Sequence, residues 1–114
     1  MRIRFWGVRG TIPTPGPTTI KYGGNTSCVQ VTTPDKQLII IDAGSGIRHL
    51  GKELMKSSQG RITGSILISH THWDHIQGFP FFAPAFGRSN RFVVVGRKRV
   101  GKQLAETMAG QFIE

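Results

Sequence analysis

Cysteine is almost missing from this chain: Cys28 stands alone. It cannot close an internal disulfide, so a reducing cytoplasm is the expected compartment. A lone thiol in a β-rich stretch reads as a small buried hydrophobe rather than a ligand or nucleophile. Long apolar runs are also missing. None is longer than Leu38 to Ile41, which is far too short to cross a bilayer. Met1 to Val8 alternates charge and bulk and lacks the continuous apolar stretch of a signal peptide. Acids are scarce, with six Asp and Glu against fifteen Lys and Arg, for a formal charge of +9. Beyond His75 there is no histidine and no aspartate, and only Glu106 and Glu114 remain as acids.

The surplus of positive charge is uneven. Arg88, Arg91, Arg97, Lys98, Arg99 and Lys102 fall in one window that contains no acid. Such a window suits either phosphate binding or a solvated face that keeps the protein soluble. Aromatic residues are not interleaved with the charges, apart from Phe92, so a nucleic-acid platform is not favoured. The solvated face is the expectation, and a local anionic substrate stays open.

What is abundant is histidine, in one place. His70-Thr71-His72-Trp73-Asp74-His75 holds three of the four histidines and one of the six acids. Folding alone gives no reason for it, because clustered imidazoles repel one another once protonated. A divalent metal ion reverses that penalty: neutral imidazole and carboxylate are the donors zinc prefers, and manganese or iron would also accept them. If the run leaves an extended strand, His70 and His72 face the same side and can grip one ion. Asp74 and His75 on the following turn can reach the same ion or a second one.

The rest of the chain places that motif. Arg2 to Trp6 alternates as a strand, and Gly7 to Pro17 is a glycine- and proline-rich loop. Ser27 to Ile41 reads as a β-hairpin turning at Pro34-Asp35, with Ile39 to Ile41 sandwiched inside a sheet. A helix follows Ala43-Gly44-Ser45-Gly46, with Ile47, Leu50, Leu54 and Met55 on its buried stripe, His49 facing solvent, and Gly60 closing it. Ser65 to Ser69 is the next buried strand. Ile76 to Phe86 is a compact aromatic segment, with core packing expected for Phe79, Phe81, Phe82 and Phe86. Trp73 is expected to pack beside the histidine loop. Phe92 to Val95 is a further strand, and a last helix carries Val100, Leu104, Met108 and Phe112. The order is α/β, in a single unit spanning residues 1–114. The helix between the two buried strands makes them parallel neighbours, so Asp42 and the histidines open on one rim, where such sheets gather ligands. Gly44-Ser45-Gly46, opening a helix, is a candidate anion site through its amides.

These residues resemble a known family. His70-Thr71-His72-Trp73-Asp74-His75 has the His-x-His-x-Asp-His pattern of the metallo-β-lactamase-fold hydrolases. Phe5-Trp6-Gly7-Val8-Arg9-Gly10, Gly23-Gly24-Asn25-Thr26-Ser27-Cys28 and Asp42-Ala43-Gly44-Ser45-Gly46-Ile47 resemble the opening blocks of the branch containing ribonuclease Z and cyclic-phosphate phosphodiesterases. The likeness runs from residue 1 to about residue 96. It implies that His70 and His72 bind a first metal, and that Asp74 and His75 bind a second. It further implies that Asp74 handles protons near the attacking water, and that Asp42 lies beneath the site, hydrogen-bonding the histidine-bearing loop. The residues themselves leave Asp42 a compatible alternative, capping the Ser45 or Gly46 amides at the helix start.

The same resemblance calls for three further ligands, a histidine, a bridging aspartate and a final histidine, which this sequence lacks. It therefore implies the amino-terminal half of an αββα sandwich, with the carboxy-terminal half absent. The implied activity is metal-dependent hydrolysis, with two ions in the complete domain, zinc foremost. A small or nucleotide-like phosphodiester is the favoured substrate, and thioesters, lactones and β-lactams are alternatives. A competing expectation is an inactive truncated form that binds at most one metal. Either way, an uncovered apolar sheet face is expected to drive homodimerisation or other self-association.

Overall fold

The computed structural model describes residues 1–58, 60–97 and Gln111. The expected last helix, with Val100, Leu104, Met108 and Phe112, lies outside them, as do Lys98, Arg99, Lys102, Glu106 and Glu114. One mixed sheet organises the chain, with strands β1 (Arg2–Gly7), β2 (Cys28–Thr32), β3 (Leu38–Ile41), β4 (Thr63–Ile68) and β5 (Arg91–Gly96) side by side in that order. β1, β2 and β3 pair antiparallel, whereas β3, β4 and β5 run parallel. Helix α1 (Ile47–Ser57) makes the crossover from β3 to β4, and the short α2 (Trp73–Ile76) opens the crossover to β5. The chain is thus α/β, a five-stranded mixed sheet with flanking helices.

The core lies on one side of the sheet, between its inward-facing residues and α1. Ile40, Ile66, Ile68 and Cys28 supply the sheet side, and Ile47, Leu50 and Phe82 close over them. Each such side chain contributes roughly 1.5–3 kcal/mol through burial. Met55 does not join them and is half exposed. The helical stripe explains why: at ~100° per residue, Ile47, Leu50 and Leu54 share an arc that Met55 overshoots. Gly51 takes the place expected of Met55, lying fully under Phe82 and Pro84, whose atoms would come within 3.0 Å of a Cβ there. His49 faces solvent.

The other side of the sheet is uncovered among the described residues. Ile39 and Ile41 point there, next to Ile3, Phe5, Val31, Leu67, Val93 and Val95, and no described element covers them. The sandwiching expected around Ile39 to Ile41 therefore holds for Ile40 alone. Phe81, Phe86 and Trp73 are likewise exposed, at 65%, 61% and 61%. Of the four phenylalanines expected in the core, Phe79 and Phe82 pack on it. Pro80 and Pro84 break that segment into two single-turn 3-10 helices, Phe79–Phe81 and Ala83–Phe86, too short to present one continuous face.

Cys28 is completely buried, and burial pushes its thiol up to about 12. The thiolate is the reactive form. A thiol reagent at pH 8 should leave Cys28 unmodified in the folded protein and label it after denaturation. Fast labelling of the native state would contradict the placement.

Candidate functional site

The parallel pairing of β3 and β4 puts their carboxyl ends on one rim, and the polar residues gather there. Asp42 follows β3 directly. Its φ of 64° turns the chain sharply toward α1, and its amide donates to the Leu67 carbonyl across the strand boundary. Asp42 is 4% exposed, so its carboxylate needs partners, and it has them. Oδ1 accepts from the Ser69 amide at 2.8 Å, and the Ser69 hydroxyl lies 2.9 and 2.8 Å from the two oxygens. Oδ2 also lies 2.8 Å from His75 Nδ1.

His70 leaves the end of β4, and His72 takes the N-cap position of α2, which then carries Asp74 in its first turn and His75 next to it. The tight turn brings the rings together: His70 and His72 have centroids 4.5 Å apart, and His70 and His75 have centroids 4.0 Å apart. His75 Nε2 lies 3.3 Å from Asp74 Oδ2. This ring is therefore flanked by two carboxylates, one at each nitrogen. With the Nδ1 proton donated to Asp42, the Nε2 lone pair and Asp74 Oδ2 face each other as two acceptors. That contact calls for a cation, either a proton on Nε2 or a metal ion.

Asp74 has one more partner that the sequence did not announce. The Thr11 amide donates to Asp74 Oδ2 at 3.1 Å, across 63 residues of chain. Thr11 reaches it with a φ of 73°, at the tip of the glycine- and proline-rich loop. The Thr11 amide holds the Asp74 carboxyl below its ordinary range; the His75 and His70 rings add to this, and partial desolvation opposes it. Because the amide binds the carboxylate form, this tether is complete above the usual carboxylate range and is lost as pH falls through the lowered Asp74 value.

The backbone under the site is packed without slack. Ala43 donates to the His75 carbonyl at 2.8 Å, and Gly78 donates back to the Ala43 carbonyl at 2.9 Å, so α2 is bolted to the start of α1. The Gly44-Ser45-Gly46 amides are already occupied: Gly44 donates to Ser27 O, Ser45 to Thr26 Oγ1, and Gly46 to Thr26 O. This candidate anion site is therefore unsupported, since a bound anion would find no vacant donor among these amides. The same bonds leave Asp42 out of the helix cap. Thr26, fully buried, replaces it and also receives the Gln77 side chain. Ser69, Thr11 and Thr26 are thus the residues that sequence reasoning missed. Ser69 adjoins the motif and was readable as an anchor. Thr11 and Thr26 act through long-range contacts with no local signature.

The donor chemistry, three imidazoles and a carboxylate, suits a borderline divalent cation. Among the described residues, however, no three His, Cys, Asp or Glu side chains are disposed as a metal-holding group. The donors are neighbours but do not yet form a cage.

A family model described as a beta-lactamase superfamily domain matches residues 37–114, well over half of the chain. The chain belongs to the beta-lactamase superfamily. The matched stretch contains β3, α1, β4, the histidine cluster and β5, so the rim is part of this superfamily domain. The glycine-bearing blocks at residues 5–10 and 23–28 lie before the match. No curated protein and no solved structure matches the chain. Superfamily membership points to hydrolytic chemistry. No helix among the described residues is long and apolar enough to cross a membrane.

Proposed function

We propose that this superfamily member is a metal-dependent hydrolase, acting on phosphodiesters. The observation that carries the reading is the convergence of His70, His72, Asp74 and His75 on one rim, with Asp42 anchoring His75 from below. In it, His70 and His72 hold a first divalent ion, zinc foremost with manganese and iron as alternatives, and Asp74 and His75 hold a second. When bound, such ions supply Lewis acidity and acidify water. The chain's own residues do the positioning. Asp42 holds the His75 ring through Nδ1 and so keeps Nε2 turned to the rim. The Thr11 amide fixes the direction of the Asp74 carboxylate, the group that accepts a proton from the attacking water in this reading. The phosphodiester preference rests on the likeness of the early glycine blocks to the ribonuclease Z and cyclic-phosphate phosphodiesterase branch, and on the positive charge of the chain.

The test is hydrolysis of bis(p-nitrophenyl) phosphate by the zinc- or manganese-supplemented protein, beside thioester, lactone and β-lactam substrates. Turnover of the phosphodiester alone is the expected result, and Asp74→Asn should lower it at least about a hundredfold. Turnover of another class only would remove the phosphodiester assignment. A second reading is favoured by the absence of a three-donor group among the described residues: this species holds one ion loosely and turns nothing over. Metal-to-protein stoichiometry separates the two, at two ions with turnover or one without.

The open sheet face bears on partners. We propose that it is covered by self-association, because Phe5, Val93 and Val95 stay at least half exposed on it. Sedimentation should show a dimer or larger species whose population falls in the Val93→Lys variant. A strictly monomeric protein at high concentration would contradict it.

A further inference from the structure

Between the end of β1 and the single-turn helix at Pro17–Thr19 lies a cleft of about 260 Å³. It is lined by Arg9, Lys21 and Tyr22, with Thr18 and Thr19 among the remaining walls, and no acid contributes to it. The walls are held by backbone rather than left to side chains. Arg9 donates its amide to Asn25 O at 3.0 Å, Thr14 to Gly24 O at 2.8 Å, and Gly23 to Thr19 O at 2.8 Å. Gly24 could not carry a side chain, because a Cβ there would stand 2.3 Å from the Thr14 carbonyl oxygen. Thr19 Oγ1 turns inward to the Thr14 carbonyl at 2.6 Å.

Both cations are solvent-exposed. Arg9 Nε donates to Ile12 O at 3.2 Å, which fixes the guanidinium stem. Lys21 Nζ lies 5.2 Å from the centre of the Tyr22 ring. Neither joins an ion pair among the described residues, where the ion pairs are those of His75 with Asp42 and Asp74. Two cations and a phenol around a concavity without a carboxylate select an anion that also accepts hydrogen bonds, and phosphate is the fitting class. The volume falls below the ~300–1,000 Å³ typical of whole-ligand pockets. It therefore admits a phosphate headgroup rather than a full nucleotide.

This cleft is tied to the rim by the same loop. Two residues beyond Arg9, Thr11 donates to Asp74. We infer that Arg9, Lys21 and Tyr22 form a subsite for a non-scissile phosphate group of a small substrate, held on the loop that also orients Asp74. Its use in catalysis rests on the hydrolase reading, whereas its binding does not, so the two can fail separately.

The experiment is a titration of the full chain with pyrophosphate in the presence of a metal chelator, followed by amide chemical shifts. Shifts should cluster at residues 8–9 and 18–23. The Arg9→Ala, Lys21→Ala double variant should bind at least about tenfold more weakly, while Arg9→Lys, Lys21→Arg keeps most of the affinity. Circular dichroism of both variants checks the fold, and Lys21→Gln alone replaces the double variant should that one unfold. An Arg88→Ala, Arg91→Ala control should leave affinity unchanged. Unaltered affinity in the double variant, an equal loss in the control, or shifts confined to the Arg88–Arg97 region would overturn the subsite. So would binding of a short single-stranded oligonucleotide with no response to pyrophosphate. Loss of phosphodiester turnover with the titration intact would refute the hydrolase reading and leave the subsite standing.

Discussion

Asp42→Ala should destabilise the protein by about 3–5 kcal/mol, read as a fall in the urea midpoint at unchanged slope. Two costs combine. The Ser69 amide and His75 Nδ1 lose their acceptor, and these two part-buried bonds together contribute roughly 2–3 kcal/mol. Alanine must also adopt the φ of 64° that Asp42 holds, at roughly 1–2 kcal/mol for a residue with no side chain able to bond locally. Asp42→Asn separates the two. Asparagine tolerates the left-handed conformation and its carbonyl can still accept from Ser69, so it should lose about half as much. If alanine and asparagine proved equally mild, the carboxylate would not be the anchor of the rim.

Gly78→Ala should be nearly as damaging, at about 3 kcal/mol or more. A Cβ at this position would stand 2.0 Å from the Gly44 carbonyl oxygen and 2.8 Å from Ile47 Cγ2. Overpacking a core costs roughly 1–3 kcal/mol when side chains can give way. Here the obstacle is backbone, and the backbone is pinned, since Gly78 donates to Ala43 and Gly44 donates to Ser27. Relief requires α2 to lift from α1, and α2 carries Asp74 and His75. The variant should therefore lose both stability and the His75–Asp42 contact, visible in the imidazole nitrogen shifts. Gly10→Ala is the matching control, with nothing within 4 Å of the added carbon, and should stay within about 0.5 kcal/mol of the parent. A Gly78→Ala protein as stable as Gly10→Ala would refute the close packing of the two helix starts.

Most of the fold was readable because its signals are local. The alternation in Arg2 to Trp6, the turn at Pro34-Asp35 and the apolar run before His70 each mark a strand without reference to the rest of the chain. The parallel pairing of β3 with β4 followed from the single helix between them, and with it the shared rim of Asp42 and the histidines. What escaped depends on distance in sequence. Whether Ile39 and Ile41 are covered depends on a layer that no property of β3 can reveal. Trp73 reads as a packing residue by type, yet it begins a four-residue helix whose buried side belongs to Ile76. The glycine-rich turn looks like an anion cradle until Thr26 and Ser27, nearly twenty residues upstream, take up its amides. The Thr11 tether to Asp74 is the clearest case, because nothing near Thr11 or Asp74 announces the other.

Calorimetric titration of the metal-free protein with zinc, beside His72→Ala and His75→Ala, tests the central claim most directly. The account predicts tight saturable binding in the parent and at least about a tenfold loss in each variant. Zinc binding that survives both substitutions unchanged, or no binding by the parent, would contradict it.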